Sequence, residues 1–219
     1  MPEKEACYSG MKKRRKRLQS IDGKIFARIV GSRRGYVFTP SDFLDLGSRS
    51  AVDTALTRGV RDGRIRKLAR GLYDHPRLGV DGAPLLPTTD AVARALVGRE
   101  GIRLQPSGAH AANMLGLSDQ VPVRIVFLTD GRGRTVTVGQ RRIVLQHATP
   151  RHMATAGRKS GTIIQALRWL GKQNVDNKVM RLLRRQVIAS DRKDLLLATR
   201  HAPAWISTIL RELAQETVA

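Results

Sequence analysis

Apolar side chains recur at helical spacing in three stretches of the chain, residues 21–31, 40–47 and 48–62. Gly31 and Gly47 end the first two stretches, as glycine commonly does at helix termini. Pro40 suits the first turn of the second helix, and Ser48 suits the N-cap of the third. We therefore predict three helices, the last two separated by a tight glycine-containing turn.

Short β-prone pieces lie between and after these helices. Residues 36–39 (Tyr-Val-Phe-Thr) precede the second helix. Residues 64–69 alternate between two turn signals, an Asp-Gly and an Arg-Gly pair, and residues 72–74 supply a return strand. The predicted order is helix, strand, helix, helix and hairpin. This is the order of a winged helix, in which the last two helices form the helix-turn-helix and the hairpin forms the wing.

Beyond the hairpin, glycine and proline concentrate in residues 79–90, which predicts a linker. Helices are expected at 89–97 and from about Pro106 to Leu115, and strands at 123–128, 135–138 and 142–145. Four helical runs follow. The last has an apolar stripe, formed by Trp205, Ile206, Ile209, Leu210 and Leu213.

These patterns predict an α+β fold. We expect an N-terminal winged helix-turn-helix followed by a mixed α/β C-terminal domain that ends in a helical bundle-like segment. The expected divisions are a disordered basic arm (1–18), a winged-helix domain (19–78), a linker (79–90) and a mixed α+β domain (91–219).

The charge of the chain points to a polyanionic partner. Forty Lys and Arg residues face eighteen Asp and Glu residues, for a net charge of +22. No stretch approaches the ~20 apolar residues of a membrane-spanning helix, and no long apolar run follows the basic segment as a signal peptide requires. One cysteine allows no internal disulfide. We therefore expect a cytoplasmic protein that binds nucleic acid and no membrane.

The basic charge is densest at the start of the chain. Residues 1–80 hold 19 basic and 8 acidic side chains, against 21 and 10 in the longer remainder. Six consecutive cations lie before the first helix: Lys12, Lys13, Arg14, Arg15, Lys16 and Arg17. Their mutual repulsion predicts disorder without an anion. The segment is either a solubilising tail or an arm along DNA phosphates or in a minor groove.

The third predicted helix has two unlike faces when its residues are placed 100° apart. One is apolar: Val52, Ala55, Leu56, Gly59 and Val60. The other holds Ser50, Asp53, Thr54, Thr57, Arg58 and Arg61, with Arg49 in the first turn. Arg, Ser, Thr and Asp side chains can all read base edges in a major groove. The polar face is either a recognition surface or the solvated side of an ordinary amphipathic helix, and the basic hairpin that follows favours recognition.

The hairpin adds candidate phosphate contacts. Four cations fall within seven residues there: Arg64, Arg66, Lys67 and Arg70. Arg33 and Arg34, just before the first strand, could act in the same way. Charges on a hairpin also protect an exposed strand edge from pairing with other chains, and both roles can hold together.

Enzyme chemistry is poorly supported by the sequence. There is no GxxxxGK phosphate-binding loop, and the five glutamates do not cluster as nuclease metal ligands do. The five histidines show no metal-ligand pair at helical spacing. An Arg-x4-His pattern of some ribonucleases occurs twice, at residues 70–75 and 142–147, but on strand-like sequence. We expect no catalytic activity, no metal and no cofactor.

Several motifs resemble a known family. The segments are residues 36–40 (Tyr-Val-Phe-Thr-Pro), 45–49 (Asp-Leu-Gly-Ser-Arg) and 65–73 (Ile-Arg-Lys-Leu-Ala-Arg-Gly-Leu-Tyr), followed by 104–108, 127–131 and 154–158. The first three resemble the N-terminal winged helix of AbiEi-type antitoxins of type IV toxin–antitoxin systems, and the later three resemble an uncharacterised AbiEi-like subfamily.

The resemblance implies an antitoxin and transcriptional autorepressor that binds promoter repeats and bends them. It also implies a C-terminal half that neutralises a nucleotidyltransferase-like toxin, often without a stable complex. This chain departs from better-known members in its long basic arm and its high charge. The alternative is a standalone DNA- or RNA-binding regulator, for example of a mobile element, without a toxin partner.

Overall fold

The structure, a computed structural model, describes residues 20–98, 101–120 and 122–215. The chain divides at residues 99–100 into two compact units. Each unit combines helices with one small sheet, so the fold is α+β, as predicted. The arm predicted for residues 1–18, including Lys12 to Arg17, lies outside the described residues.

In its described part the first unit has three α-helices, one 3₁₀ turn and a three-stranded sheet. In chain order these are α1 (Ile21–Gly31), β1 (Val37–Phe38), the 3₁₀ turn (Pro40–Phe43), α2 (Arg49–Arg61), β2 (Arg66–Ala69), β3 (Leu72–Asp74) and α3 (Thr89–Val97). The strand order is β1-β3-β2 and both pairings are antiparallel. The elements predicted at 21–31, 36–39, 48–62 and 64–74 are therefore present.

The core of the first unit lies between α1 and α2. Ile25 and Ile29 on α1 and Val52 and Leu56 on α2 are all buried, at the spacing that the sequence predicted. Gly59 allows the two helices to approach closely. A Cβ at this position would overlap the buried ring of Phe26, so a larger residue would force the ring or the helices to shift.

The second predicted helix is shorter than its apolar pattern indicated. Only a 3₁₀ turn forms, although its start is capped: the Asp42 carboxylate accepts hydrogen bonds from the Thr39 backbone N–H (2.8 Å) and hydroxyl (3.2 Å). Phe43 enters the core while Leu44 is exposed. Gly47 and the cap residue Ser48 follow at once, so no room is left for a longer helix.

The segment predicted as a linker is a loop of the first unit. Apart from a single bridge between Leu78 and Pro84 it forms no regular structure before α3. The helix α3 contacts β1 and so belongs to the first unit, although the sequence pattern had grouped most of it with residues 91–219. Glycine and proline mark a change of local structure, and they do not reveal which side the next helix packs on.

In its described part the second unit has a four-stranded sheet and five α-helices. They are β4 (Leu104–Ser107), α4 (Gly108–Met114), β5 (Arg124–Thr129), β6 (Arg134–Val138), β7 (Arg141–His147), α5 (Lys159–Leu170), α6 (Asn177–Gln186), α7 (Arg192–Ala198) and α8 (Ala204–Gln215). Three 3₁₀ turns join the later helices, at Lys172–Asn174, Ala189–Asp191 and Thr199–His201.

The sheet of the second unit is mixed, with strand order β4-β5-β7-β6. β4 is antiparallel to β5, β5 is parallel to β7, and β6 forms an antiparallel edge against β7. The helix expected from Pro106 starts only at Gly108, because Pro106 and Ser107 still pair with Phe127 and Val126 of β5.

A helical core completes the second unit. The predicted stripe of the last helix is confirmed: Ile206, Leu210 and Leu213 are buried, with Trp205 and Ile209 partly buried beside them. They share one cluster with buried residues of α4, α5, α6 and α7. Apolar spacing predicted the stripe correctly because this helix buries only one face.

Candidate nucleic-acid interface

The helix α2 has one side packed on the first unit and the opposite side exposed to solvent. Ser48 caps it by accepting a hydrogen bond from the Ala51 backbone N–H at 3.3 Å. The apolar side packs on the rest of the first unit, and the polar side faces solvent. Ser50, Thr54, Thr57, Arg58 and Arg61 are exposed, and Asp53 is half-buried. The structure thus brings the predicted polar residues of this helix onto one accessible face.

The polar side chains of α2 are held by bonds within the helix. The Thr54 hydroxyl donates to the Ser50 carbonyl (2.9 Å) and the Thr57 hydroxyl to the Asp53 carbonyl (2.8 Å). Their hydroxyl protons are thereby occupied, while the oxygen lone pairs remain able to accept. The threonines are therefore poised as hydrogen-bond acceptors.

Arg49 forms an ion pair with Asp53, one turn along the helix, at 2.9 Å. Both side chains are about half exposed. Such exposed pairs contribute roughly 0.2–1 kcal/mol, whereas a bidentate arginine–guanine contact discriminates by about 1–3 kcal/mol. A guanine could therefore draw Arg49 away from Asp53 with a net gain.

The other arginines of α2 also have acidic neighbours. Arg58 contacts Asp22 on α1 at 3.2 Å, and Arg61 contacts Asp62 at 3.4 Å. The Arg58 contact joins residues far apart in sequence, so only the packing of α1 on α2 reveals it. Both pairs are exposed and weak for the same reason as that of Arg49.

The four cations of the hairpin fall into two groups. Arg66 is used inside the unit: its guanidinium binds both carboxylate oxygens of Asp74 (2.6 and 3.1 Å) and the backbone carbonyls of Pro84 and Leu85. Arg64 stacks on the Phe26 ring at 3.6 Å. Lys67 and Arg70 are exposed, and neither has an ion-pair partner among the described residues. The hairpin thus presents Lys67 and Arg70 as exposed cations without ion-pair partners among the described residues. Arg64 lies over the Phe26 ring.

Arg33 and Arg34 lie apart from the helix α2, in the turn before β1. Both are exposed and line a cavity of about 520 Å³ whose other walls include Tyr36, Val37 and Ala95. Next to them, burial lowers the pKa of His75, and the positive charge of Arg34 lowers it further. This region adds positive charge near the first strand.

The distribution of charge between the units differs from the trend along the sequence. Of the 19 basic residues among residues 1–80, seven lie in residues 1–19, outside the described part. Residues 20–98 hold 13 basic and 8 acidic side chains, whereas residues 101–215 hold 19 and 6. Without the arm, the second unit has the larger positive excess. The charge counts for residues 1–80 and for the remainder do not show this difference.

No group of three or more His, Cys, Asp or Glu side chains suited to a metal ion occurs within residues 20–98, 101–120 and 122–215. Within those ranges no helix combines the length and apolar character needed to cross a membrane.

The family match covers both units. It extends over residues 24–195, from within α1 to within α7. The chain belongs to the family of unknown function DUF6088. No curated protein and no solved structure matches it.

The DUF6088 match includes α2, the hairpin and the whole sheet of the second unit. It does not include residues 12–17, so the basic arm is not part of the matched segment. The exposed face of α2 and most of the charged second unit therefore lie within the segment that matches DUF6088.

Proposed function

We propose that this DUF6088 protein is a transcriptional regulator that binds double-stranded DNA. In this proposal the first unit works as a winged helix, with α2 as its recognition helix and the β2–β3 hairpin as its wing. The observation that carries the proposal is α2 itself: its apolar side is buried against α1, its opposite side exposes Ser, Thr and Arg side chains, and a basic hairpin follows it directly.

Base contacts are assigned to the exposed face of α2. Arg49 lies in the first turn, where recognition helices concentrate their base contacts, and it can exchange Asp53 for a guanine. Thr54 and Thr57 retain acceptor lone pairs, which suit the exocyclic amines of adenine and cytosine. Arg58 follows one turn later and is free to leave its exposed contact with Asp22.

Phosphate contacts are assigned to exposed cations on the hairpin and before the first strand. Lys67 and Arg70 occupy the hairpin without ion-pair partners among the described residues, and Arg33 and Arg34 flank the first strand. Arg66 is left out of this set, because its guanidinium is occupied by Asp74 and two backbone carbonyls. Phosphate contacts orient a protein on the duplex without reading its sequence.

The proposal is tested by selecting preferred duplexes from a random pool with the full chain and comparing two variants. Arg49→Ala should weaken binding to the selected duplex by about 1–3 kcal/mol, five- to 150-fold, with a smaller loss on random duplex. Arg94→Ala is the matched control, because Arg94 also forms an exposed ion pair one helical turn from its partner, Asp90, but on α3. Equal losses on both duplexes would make Arg49 a phosphate contact, and failure of the intact chain to bind any duplex would sink the proposal.

The resemblance to AbiEi-type antitoxins supports a narrower proposal, that the regulator is the antitoxin and autorepressor of a type IV toxin–antitoxin system. Its test starts from the adjacent gene. If that gene encodes a nucleotidyltransferase-like protein that arrests growth when expressed alone, co-expression of this chain should restore growth and repress a reporter driven by the shared promoter. Repression without rescue would instead support a standalone regulator.

A further inference from the structure

The sheet of the second unit brings two arginines into direct opposition. β5 and β7 run parallel, and their register places Arg124 opposite Arg142. On the far side of β7 the partner of Arg142 is Thr137 of β6. Opposite residues in a sheet point to the same side, so these three side chains form one row across three strands. All three are exposed.

Like charges that lie directly opposite each other in a sheet are destabilising. Nothing in the sheet offsets this pair, because β5, β6 and β7 contain no Asp or Glu. Within the described part of the chain, no ion pair joins Arg124 or Arg142 to a carboxylate. The sheet therefore holds an unneutralised arginine pair whose natural complement is an external anion.

The rest of the face suits an extended ligand. The row next to the arginines consists of Val126, Val144 and Thr135, of which the valines are partly exposed and the threonine is exposed. Guanidinium groups and threonine hydroxyls bind phosphate oxygens, and short aliphatic side chains can lie against sugars. No aromatic side chain occupies these two rows, so the face lacks the stacking platform that single strands favour.

We infer that this arginine face, defined as Arg124, Arg142, Thr135 and Thr137, binds the sugar–phosphate backbone of double-stranded DNA without reading its sequence. The inference rests on the proposed function in one respect, namely that the duplex is the one bound by the first unit. Because both units belong to one chain, binding by the first raises the effective concentration of DNA at the second. The arginine face would then supply affinity, and α2 the sequence preference.

The experiment uses the full chain and a double variant, Arg124→Gln with Arg142→Gln. Duplex binding is measured as a function of salt for a selected and for a random sequence. Losing two phosphate contacts should flatten the slope of log affinity against log salt by about 1.8, equally for both sequences. The matched control is Arg185→Gln with Arg211→Gln, which removes the same charge from exposed helical positions. Arg185 and Arg211 lie on α6 and α8 and not on the strands of the arginine face, so the control slope should stay near that of the parent.

The outcomes separate this inference from the proposed function. A flatter slope with an unchanged ratio of selected to random binding supports the arginine face, and it would do so even if Arg49→Ala left that ratio unchanged and so removed the role of α2. A slope equal to that of the control overturns the inference. Loss of binding confined to single-stranded RNA or to anionic lipid vesicles, with duplex binding intact, also overturns it. Circular dichroism of both double variants checks that the fold persists.

Discussion

The two units of this DUF6088 protein differ in how many of their described arginines form ion pairs with acidic side chains. In the first unit six arginines are paired with aspartates, on α1, α2, β2 and α3. In the second unit, four basic residues have an acidic partner among the described residues although the unit has more cations. A local Arg–Asp pair fixes a side chain in place, whereas an unpaired arginine contributes its full charge to the surrounding field.

This difference suits two kinds of contact with a polyanion. Weak, exposed pairs on α2 hold arginines at set positions and can be exchanged for a base, which favours discrimination. The unpaired Arg124 and Arg142 of the arginine face would attract phosphates irrespective of sequence, which would favour affinity and fast association. The comparison can be tested by removing charges and contacts from each part in turn.

The largest effect is expected from the basic arm, which lies outside the described part of the chain. Deletion of residues 1–18 removes the six cations at Lys12 to Arg17 and should flatten the salt slope of duplex binding by up to about 5. Sequence preference should stay nearly intact, since phosphate contacts carry no base information. A chain with the six cations replaced by glutamine separates charge from length. An unchanged slope would reduce the arm to solvated charge and leave the second unit as the main source of phosphate contacts.

The next effect concerns a fully buried carboxylate of the first unit that pairs with an arginine. Asp74 is 0% exposed, and Arg66 keeps a quarter of its side chain in solvent. Asp74→Asn should lower the free energy of unfolding by about 2–4 kcal/mol, since it leaves the guanidinium without its counterion. Urea denaturation measures this, with Asp62→Asn, in an exposed pair, as a control that should change little. Equal stability of the two variants would remove the distinction between structural and exchangeable pairs.

A smaller effect is expected where α1 meets α2. Gly59→Ala places a methyl group against the buried Phe26 ring and should cost about 1–3 kcal/mol of stability. It should also weaken duplex binding, because α2 would be displaced from its seat. Gly31→Ala, at the end of α1 with open space around it, is the control and should be neutral or slightly stabilising. A neutral Gly59→Ala would show that the position of α2 is not fixed by this contact.

The smallest effect is a pH dependence in the first unit. Burial and Arg34 lower the pKa of His75 below its ordinary value of 6.5 in the folded state. The unfolded chain therefore takes up this proton first, so the stability is fully present above pH 6.5 and declines as the pH falls from 6.5 toward the lowered pKa. His75→Gln should flatten the stability profile in that window, measured by thermal unfolding, while the exposed His152→Gln should not. A profile unchanged by His75→Gln would mean that burial of this ring imposes no such penalty.

Local elements were predictable because their causes lie within a few residues. The Ser48 cap and the spacing of Val52 and Leu56 predict α2, and the glycine-containing turn before Leu72 predicts the hairpin. The apolar stripe that contains Leu210 was legible for the same reason. The second predicted helix is reduced to a turn because Gly47 and the Ser48 cap of α2 follow closely, and so short a segment cannot offset the cost of helix nucleation.

The candidate site was predictable only in part. The exposed side of α2 followed from its period, but nothing local separates Arg66, which Asp74 holds, from Arg70, which is free of ion pairs among the described residues. The two arginines differ in their tertiary neighbours and not in their sequence pattern. The arginine face could not be predicted from the sequence, because Arg124 and Arg142 are eighteen positions apart. They lie opposite each other only because β7 inserts between β5 and β6.

The sequence by itself therefore determined most of the helices and strands, their buried sides and the positive excess of the whole protein. The helices, strands and buried sides depend on hydrophobic period and capping, which act over one or two turns. The positive excess follows from composition alone. The tertiary structure alone decided which cations are neutralised, where α3 packs and which strands adjoin. Those outcomes depend on strand register and on charge contacts over a few ångströms, between residues that the chain keeps far apart.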